Sequence, residues 1–539
     1  MSEAMAAAPG LTRRALARVR ARGRGALGPV ALALMLAFPF PHFEILRSPN
    51  ELSRLYQVRA LVDDGTLAVN AEVARFGPMG DLSQARGRLF PNKAPGLSFL
   101  GAPIYFVLER LRGGAGRVPN RALLYFLRLI LCALPTLLVL QPLRRYAARM
   151  SGDARAADAA VLTYAFGSLA LTYSLLFFSH QLSANLAIGS FLAFERARGK
   201  QRGSLEVLGG ALAGMAVVAE YTLAPVAVML ALYAVAVSRS RLATLGRVAL
   251  GAVPFALFLG WYQDAAFGSP FALSYEFVQN RTFAAWHAQG FMGLTWPKAS
   301  SLAGNLFSPG RGLFAFSPAM LVALVGLKLF VRESPAEGLV AVGVTAFYFF
   351  VAASFLYQAW GWMLGPRHLT PLMPFLVAPL ACVVALLRRR APRSPGWNVA
   401  TGAVAGLCAA SILVTGFCTA VYPHIPDEFS AALAHLVWPL AKSGHLPYNL
   451  LEIALGRVAP WTWIPWFLGL GAIALAVAAR IVERPRWWPS IAVGAVTLTA
   501  FVALLFLAAP RESAQEKQTR AWIIRTWEPG PANVRRGLF

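Results

Sequence analysis

The sequence predicts an all-α protein that crosses a membrane many times. Hydrophobic residues make up 57% of the 539 positions, charged residues only 14%, and the mean hydropathy is +0.55. So few polar groups cannot cover the surface of a water-soluble globule of this length. The apolar residues also fall into runs of roughly 17 residues or more, the length that a membrane-spanning helix needs. These runs predict about thirteen transmembrane helices.

The first of these spans begins at Val30, after a basic segment at residues 1–29. Its arginines predict a cytoplasmic N-terminus, and because no small-residue cleavage site follows, the run is expected to stay as a signal anchor. The other predicted spans begin near Ala122, Ala156, Gln181, Ser204, Thr222, Leu245, Leu313, Gly338, Leu369, Val399, Trp461 and Trp488.

The run from Ala94 to Leu111 is short for a span and carries Pro95 and Pro103 near its start. If it does not cross, nearly every compact basic cluster falls on the cytoplasmic side, as the positive-inside rule requires. We therefore predict a re-entrant or interfacial helix on the outer side. The predicted organisation is a transmembrane core at residues 30–390 with an outer loop at 47–121, C-terminal helices at 391–509 with an outer loop at 421–460, and an outer tail at 510–539.

The formal net charge of +26 does not indicate a nucleic-acid partner, since the arginines form short clusters between apolar runs. The four cysteines lie within apolar runs and are interpreted as small hydrophobic residues, not as a disulfide framework or a zinc site. Ionisable groups are scarce within the predicted spans, where Arg128 is the clear case. This scarcity counts against an ion-coupled transporter.

The first outer loop collects most of the polar chemistry of the chain. Its segment SPNELSR predicts a helix with Ser48 as N-cap and Pro49 at the first position, and the apolar residues that follow predict an amphipathic helix at the membrane interface. Glu51, three residues after the cap, is either a capping-box residue or a site carboxylate. Asp81 is a second acidic candidate in the same loop.

The segment from Asn50 to Asn70 resembles the region after the first span of GT-C glycosyltransferases, in particular the branch of lipid A aminoarabinose transferases and protein O-mannosyltransferases. In that family an acidic pair opens the helix and a Lys-Pro-Pro-Leu element follows. Here the pair is Asn50-Glu51, and the later element is Lys93-Ala94-Pro95-Gly96. The resemblance implies that Glu51 acts as base or binds a divalent metal, Mg²⁺ or Mn²⁺, and that Lys93 contacts a lipid-linked phosphate.

Two further candidates follow from the ends of predicted spans on the outer side. His180, in LLFFSHQLSAN, stands where family members often have a second carboxylate. Its unperturbed pKa of about 6.5 suits a catalytic base or a metal ligand, although an interfacial hydrogen-bonding role is equally consistent. Glu220 is either a solvated helix-end carboxylate or a member of the site.

Three residues in later loops complete the candidate set. Arg311, in SPGRGLF, binds an anionic head group or serves as a juxtamembrane anchor. Arg367, in GPRHL, is the sole cation of its short outer loop, and a guanidinium can bind a phosphate in a bidentate manner. His368 lies beside it. Together NKAPG, SPGRGLF and GPRHL resemble a bacterial GT-C-like membrane group, and the resemblance covers residues 30–390.

The sequence thus predicts a membrane glycosyltransferase that transfers a sugar from a polyprenyl-phosphate donor at the outer face of a bacterial-type inner membrane. Glu51, Asp81 and His180 are the predicted catalytic residues, and Glu51 and His180 the predicted metal ligands. Lys93, Glu220, Arg311, Arg367 and His368 are predicted to bind substrate. The alternatives are a non-enzymatic lipid-carrier flippase or transporter, and a polymerase or ligase of surface glycans.

Overall fold

A computed structural model describes residues 29–40, 48–113, 117–198, 202–355, 361–390, 395–456, 459–482 and 487–527. Most of the predicted basic N-terminus and the last residues of the predicted outer tail lie outside these ranges. The predicted fold class is confirmed, because all regular secondary structure in the described chain is helical apart from one short β-hairpin. In the described part of the chain, seven helices are long and apolar enough to cross a membrane: Asn120–Ser151, Arg241–Phe267, Pro335–Ser354, Arg367–Arg390, Pro395–Val421, Pro460–Ile481 and Trp488–Leu507.

The predicted number of thirteen spans is not confirmed. Two predicted runs are interrupted where the sequence breaks a helix. One helix ends at Phe166, before Gly167 and Ser168, and the run near Leu313 is divided by Pro318. Gly203–Ala219 and Tyr221–Ala236 are apolar but shorter. The described chain opens with a helix at residues 29–37. The other described α-helices outside the first loop are Ala154–Phe166, Leu169–Ser174, Ser179–Ala197, Arg281–His287, Ala299–Phe307, Leu313–Phe316, Ala319–Glu333, Trp438–Lys442, Leu450–Leu455 and Ala514–Arg525.

The first outer loop is folded into the body of the protein. Its helix Pro49–Arg59 continues as a π-helical turn, Ala60–Asp64, and a short helix follows at Asn70–Phe76. Strands Leu82–Ala85 and Arg88–Pro91 then form an antiparallel hairpin, and the run predicted to be re-entrant forms the helix Gly96–Arg112. The loop thus contains a small β element that the sequence motifs did not predict.

The helix Pro49–Arg59 is buried on every face, and not only on the predicted apolar one. All of its residues from Asn50 to Arg59 are buried, including both arginines. The helix Gly96–Arg112 covers one side so closely that a Cβ at Gly101 would lie 2.8 Å from Cγ2 of Val58. Leu55, Val58, Leu97 and Phe177 share one hydrophobic cluster. The prediction of a helix lying exposed at the interface is therefore corrected: the polar face of this helix points into the protein.

Candidate active site

Glu51 is a buried carboxylate that joins distant parts of the chain. The residue is 8% exposed, the backbone N–H of Phe177 donates to its Oε1 at 2.7 Å, and Nε2 of His424 lies 3.7 Å from its Oε2. Ser48 occupies the predicted N-cap position, but no side-chain capping hydrogen bond forms there. The capping box is therefore absent at this helix, and the carboxylate of Glu51 faces the helices that follow.

Burial raises the pKa of Glu51 from 4.5 to about 7. The Phe177 N–H and the positive charges of Arg128 and Arg54 oppose this shift, but they do not cancel it. A carboxyl group with a pKa near neutrality can accept and release a proton at physiological pH. Glu51 thus has the proton affinity that a general base requires.

Arg54 lies one turn further along the same helix and is 1% exposed. One of its terminal nitrogens donates to the backbone and side-chain oxygens of Asn50, and the other donates to Oγ of Ser179 at 2.8 Å. The Ser179 hydroxyl in turn donates to Oε2 of Glu220 at 2.7 Å. Asn50 therefore helps to hold a buried guanidinium in place.

The β-hairpin brings Asp81 and Lys93 together. Asp81 precedes the first strand and Lys93 follows the second, and the pairing of Leu82 with Pro91 places them on neighbouring ends. Nζ of Lys93 lies 3.2 Å from Oδ2 of Asp81, and both side chains are largely buried. Burial raises the pKa of Asp81, but the nearby charges of Lys93 and Arg367 outweigh this effect and lower it overall. Asp81 is thus held as an ion-paired anion.

Arg367 extends this cluster of charges. Burial, Arg367 and Arg54 lower the pKa of Lys93, and Asp81 opposes them only in part. The guanidinium carbon of Arg367 lies 5.9 Å from the centroid of the Phe178 ring, within the range of a cation–π contact. Within the described ranges no carboxylate lies at ion-pair distance from Arg367, and its Nε has no hydrogen-bond partner. Arg54, Lys93 and Arg367 are therefore neighbouring positive charges, which we call the cation cluster.

His180, Glu220 and His368 meet beside the cation cluster. One potential ligand atom from each side chain lies within 4.8 Å of the others. Nδ1 of His180 is 3.3 Å from Oε2 of Glu220, and the two imidazole rings are 5.0 Å apart, centroid to centroid. Glu220 reaches this place because the chain turns out of helical conformation between Ala219 and Tyr221. Glu220 is buried here and not a solvated helix end.

The described structure brings most of the sequence candidates together. The segment from Phe177 to His180 connects them: Phe177 binds Glu51, Phe178 underlies Arg367, and Ser179 contacts Arg54. Arg311 is the exception: within the described ranges it makes no hydrogen bond or ion pair with this group, and it lies between the helices Ala299–Phe307 and Leu313–Phe316.

The motifs did not single out Arg54 and His424. Arg54 could have been found, because its spacing from Asn50 and Glu51 puts all three on one helical face. His424 carries no such signal, because it lies more than three hundred residues from Glu51 in the sequence. Tyr275 and His287 also border the cation cluster, with their rings stacked at 4.7 Å.

The predicted metal pair of Glu51 and His180 is not the arrangement found. The oxygens of Glu51 face Phe177 and His424, whereas His180 groups with Glu220 and His368. Mg²⁺ prefers oxygen ligands, and a set with two imidazoles and one carboxylate suits a transition metal better. The residues that could hold a metal ion therefore lie at a different place from the predicted pair.

The fold and this site define a multi-pass membrane protein with a buried cluster of charged side chains from its first loop and several helix ends. No protein-family model matches the chain, and no curated protein does. Among solved structures, ArnT from Cupriavidus metallidurans in the apo state is 16% identical, with a TM-score of 0.47, over 94% of this chain and 89% of that one. ArnT from the same organism bound to undecaprenyl phosphate is 16% identical, with a TM-score of 0.47, over 92% and 88%. The likeness to both structures is one of fold alone.

Proposed function

We propose that this protein is a membrane glycosyltransferase that takes a sugar from a polyprenyl-phosphate donor at the outer face of a bacterial-type inner membrane. The observation that carries the proposal is the state of Arg367, whose charge acts on Lys93. Among the described residues no carboxylate lies at ion-pair distance from Arg367, and its Nε has no hydrogen-bond partner. A cation without a counter-ion in a largely buried site is costly, and an anionic ligand removes that cost.

The cation cluster suits a phosphate group. Lys93 supplies a compact charge, and Arg367 supplies a planar fork that matches phosphate oxygens. Asp81 pairs directly with Lys93, and Glu220 holds Arg54 through the hydroxyl of Ser179, so within the described ranges neither carboxylate is at ion-pair distance from Arg367. Positive charge placed in advance where a leaving phosphate develops negative charge lowers the barrier to its departure.

Glu51 is the proposed general base. The acceptor hydroxyl oxygen attacks the anomeric carbon of the sugar, the bond from that carbon to the phosphate oxygen breaks, and Glu51 takes the hydroxyl proton. The products are the glycosylated acceptor and polyprenyl phosphate, which leaves with the electron pair of the broken bond. The pKa of about 7 allows Glu51 to be unprotonated before the step and protonated after it at neutral pH.

A flippase or transporter is the competing function, and polar groups in mid-span would favour it. Glu51, Lys93 and Asp81 belong to the first loop, and Arg367 begins its helix. Arg128, the charge predicted within a span, donates to the backbone oxygens of Leu175 and Pro39. These contacts give Arg128 a structural role and supply no specific support for transport.

The test is turnover in proteoliposomes that contain a polyprenyl-phosphate sugar labelled in the sugar, with an envelope extract as the source of acceptor. Release of polyprenyl phosphate is measured by mass spectrometry for the wild type and for Glu51→Gln and Lys93→Met. A matched control is Arg247→Gln, which removes a charge from an ion pair with Glu206 far from the cation cluster in the sequence.

The wild type and the control are expected to release polyprenyl phosphate, and the two site variants to lose at least a hundredfold in rate. Equal release by all four proteins would overturn the proposal. Movement of the intact labelled lipid between leaflets, with no loss of its sugar, would replace it with the flippase function.

A further inference from the structure

We propose that His180, Glu220 and His368 form a zinc site. The three residues come from separate parts of the chain, so no local turn or helix accounts for their approach. One nitrogen or oxygen atom from each lies within 4.8 Å of the other two. Around a tetrahedral zinc with bonds of about 2.1 Å, neighbouring ligand atoms lie roughly 3.4 Å apart. Small rotations of the side chains would therefore close the site.

The state of His180 points independently to a ligand. The residue is 2% exposed, and within the described ranges neither ring nitrogen makes a hydrogen bond. Buried polar atoms are almost always satisfied, because leaving them without a partner costs free energy. Oε2 of Glu220 lies 3.3 Å from Nδ1, a close approach of the two groups that is not a hydrogen bond, and the same oxygen accepts from the hydroxyl of Ser179. A bound metal ion would satisfy both the imidazole and the carboxylate.

The surroundings of Glu220 resemble the outer shell of a metal site. Ser179 donates to the Glu220 carboxylate at 2.7 Å, and Arg54 donates to Ser179 at 2.8 Å. Hydrogen bonds of this kind orient ligands and tune metal affinity. These two hydrogen bonds orient the Glu220 carboxylate toward the two histidines and involve neither imidazole ring.

The donor set selects the ion. Two imidazoles and one carboxylate match the zinc sites that keep a fourth position open, whereas Mg²⁺ and Ca²⁺ prefer oxygen ligands. The fourth position would take a water molecule or an anionic oxygen, since Arg367 lies next to His368 in the chain. If the proposed function is right, that oxygen would belong to the lipid phosphate, and only this last step rests on it.

Zinc binding can be measured without any donor lipid. The full chain, purified without a histidine tag, is stripped with EDTA, dialysed against Zn²⁺ and analysed by mass spectrometry for zinc per chain. Co²⁺ loading gives a second readout, because a tetrahedral Co²⁺ site has an intense visible spectrum. The variants are His180→Gln, His368→Gln and Ser179→Ala, with His445→Gln as a control histidine that pairs with Ser443 elsewhere.

One zinc per chain is expected for the wild type and for His445→Gln, and neither histidine-ligand variant should retain it. Ser179→Ala keeps all three ligands and should weaken zinc binding by about 10–100-fold. Folding of each variant is checked by gel filtration, and Ser179→Ala keeps the test decisive if a ligand variant does not fold. A wild type that binds no zinc, or binding unchanged in Ser179→Ala and in every folded ligand variant, would overturn the site. Zinc binding without sugar transfer would support the site and contradict the proposed function.

Discussion

Replacing Glu51 with glutamine tests the proposed base through its pH dependence. Burial raises the pKa of Glu51 to about 7, and a base must be unprotonated to act. About half of the protein then carries an active base at pH 7 and about one tenth at pH 6. The transfer rate at saturating donor is expected to fall about tenfold for each pH unit below 7 and to level off above pH 8.

His424 should not add a second step to this profile. Burial lowers the pKa of His424 to about 4, so the imidazole stays neutral from pH 5.5 to 8.5. A single ionisation is therefore expected in that range. Glu51→Gln should lose about 10²–10⁴-fold in rate and should show no inflection near pH 7. A wild-type rate that stays flat from pH 5.5 to 8, or full activity of Glu51→Gln, would refute the assignment.

The raised pKa of Glu51 also makes the free energy of unfolding depend on pH. Because the folded protein holds this proton more tightly than the unfolded chain, the stabilisation is fully present below pH 4.5 and is lost as the pH rises to about 7. A shift from 4.5 to about 7 corresponds to about 3 kcal/mol. Glu51→Gln should remove this dependence, so thermal unfolding of the variant should change less between pH 5 and 8 than that of the wild type. Identical pH dependence in both proteins would show that the raised pKa is wrong.

Three other changes test the site and its supports. Either Asp81→Asn or Lys93→Met should destabilise the protein by about 3–5 kcal/mol, because each leaves one buried charge unpaired. The double variant should regain thermal stability and still lack activity. Recovery of activity in the double variant would assign the pair a purely structural role. Arg367→Lys keeps the charge but loses the fork, so the KM for donor should rise about tenfold with a smaller change in kcat, and an unchanged KM would remove Arg367 from phosphate binding. Hydrogen bonds from Ser513, His435 and Ser430 outweigh the effect of burial and lower the pKa of Glu516 to about 2, so the stability that ionised Glu516 contributes is present above pH 4.5 and is lost as the pH falls toward 2. Glu516→Gln should therefore make the helix Ala514–Arg525 sensitive to limited proteolysis at pH 7. Resistance equal to that of the wild type would contradict the claim that Glu516 holds this helix in place.

The fold class could be predicted because it depends on composition and on the length of apolar runs. The number of spans could not, because Gly167, Ser168 and Pro318 end helices within continuous apolar stretches. The burial of the helix Pro49–Arg59 could not be predicted from the sequence either. Its apolar face looks like that of an interfacial helix, and the groups that cover its polar face come from residues more than a hundred positions away.

The sequence predicted the candidate site as a set of residues in the first outer loop and at the ends of predicted spans. The motifs brought out Glu51, Lys93, His180 and Arg367, but the contacts between them depend on tertiary structure. Asp81 and Lys93 were proposed for separate roles, and only the hairpin between them makes them an ion pair. The histidine pair with Glu220 arises in the same way, because three helix ends meet where no local pattern can indicate it.

The measurement that tests the central claim most directly is an electron cryo-microscopy structure of the protein in nanodiscs with bound polyprenyl phosphate. The account predicts phosphate density within hydrogen-bond reach of Lys93 and Arg367, with Glu51 on the side from which an acceptor can approach. The same density should be absent from a Lys93→Met/Arg367→Ala variant prepared in the same way. Phosphate bound at another surface, or retained by that variant, would contradict the claim that the cation cluster is the donor site.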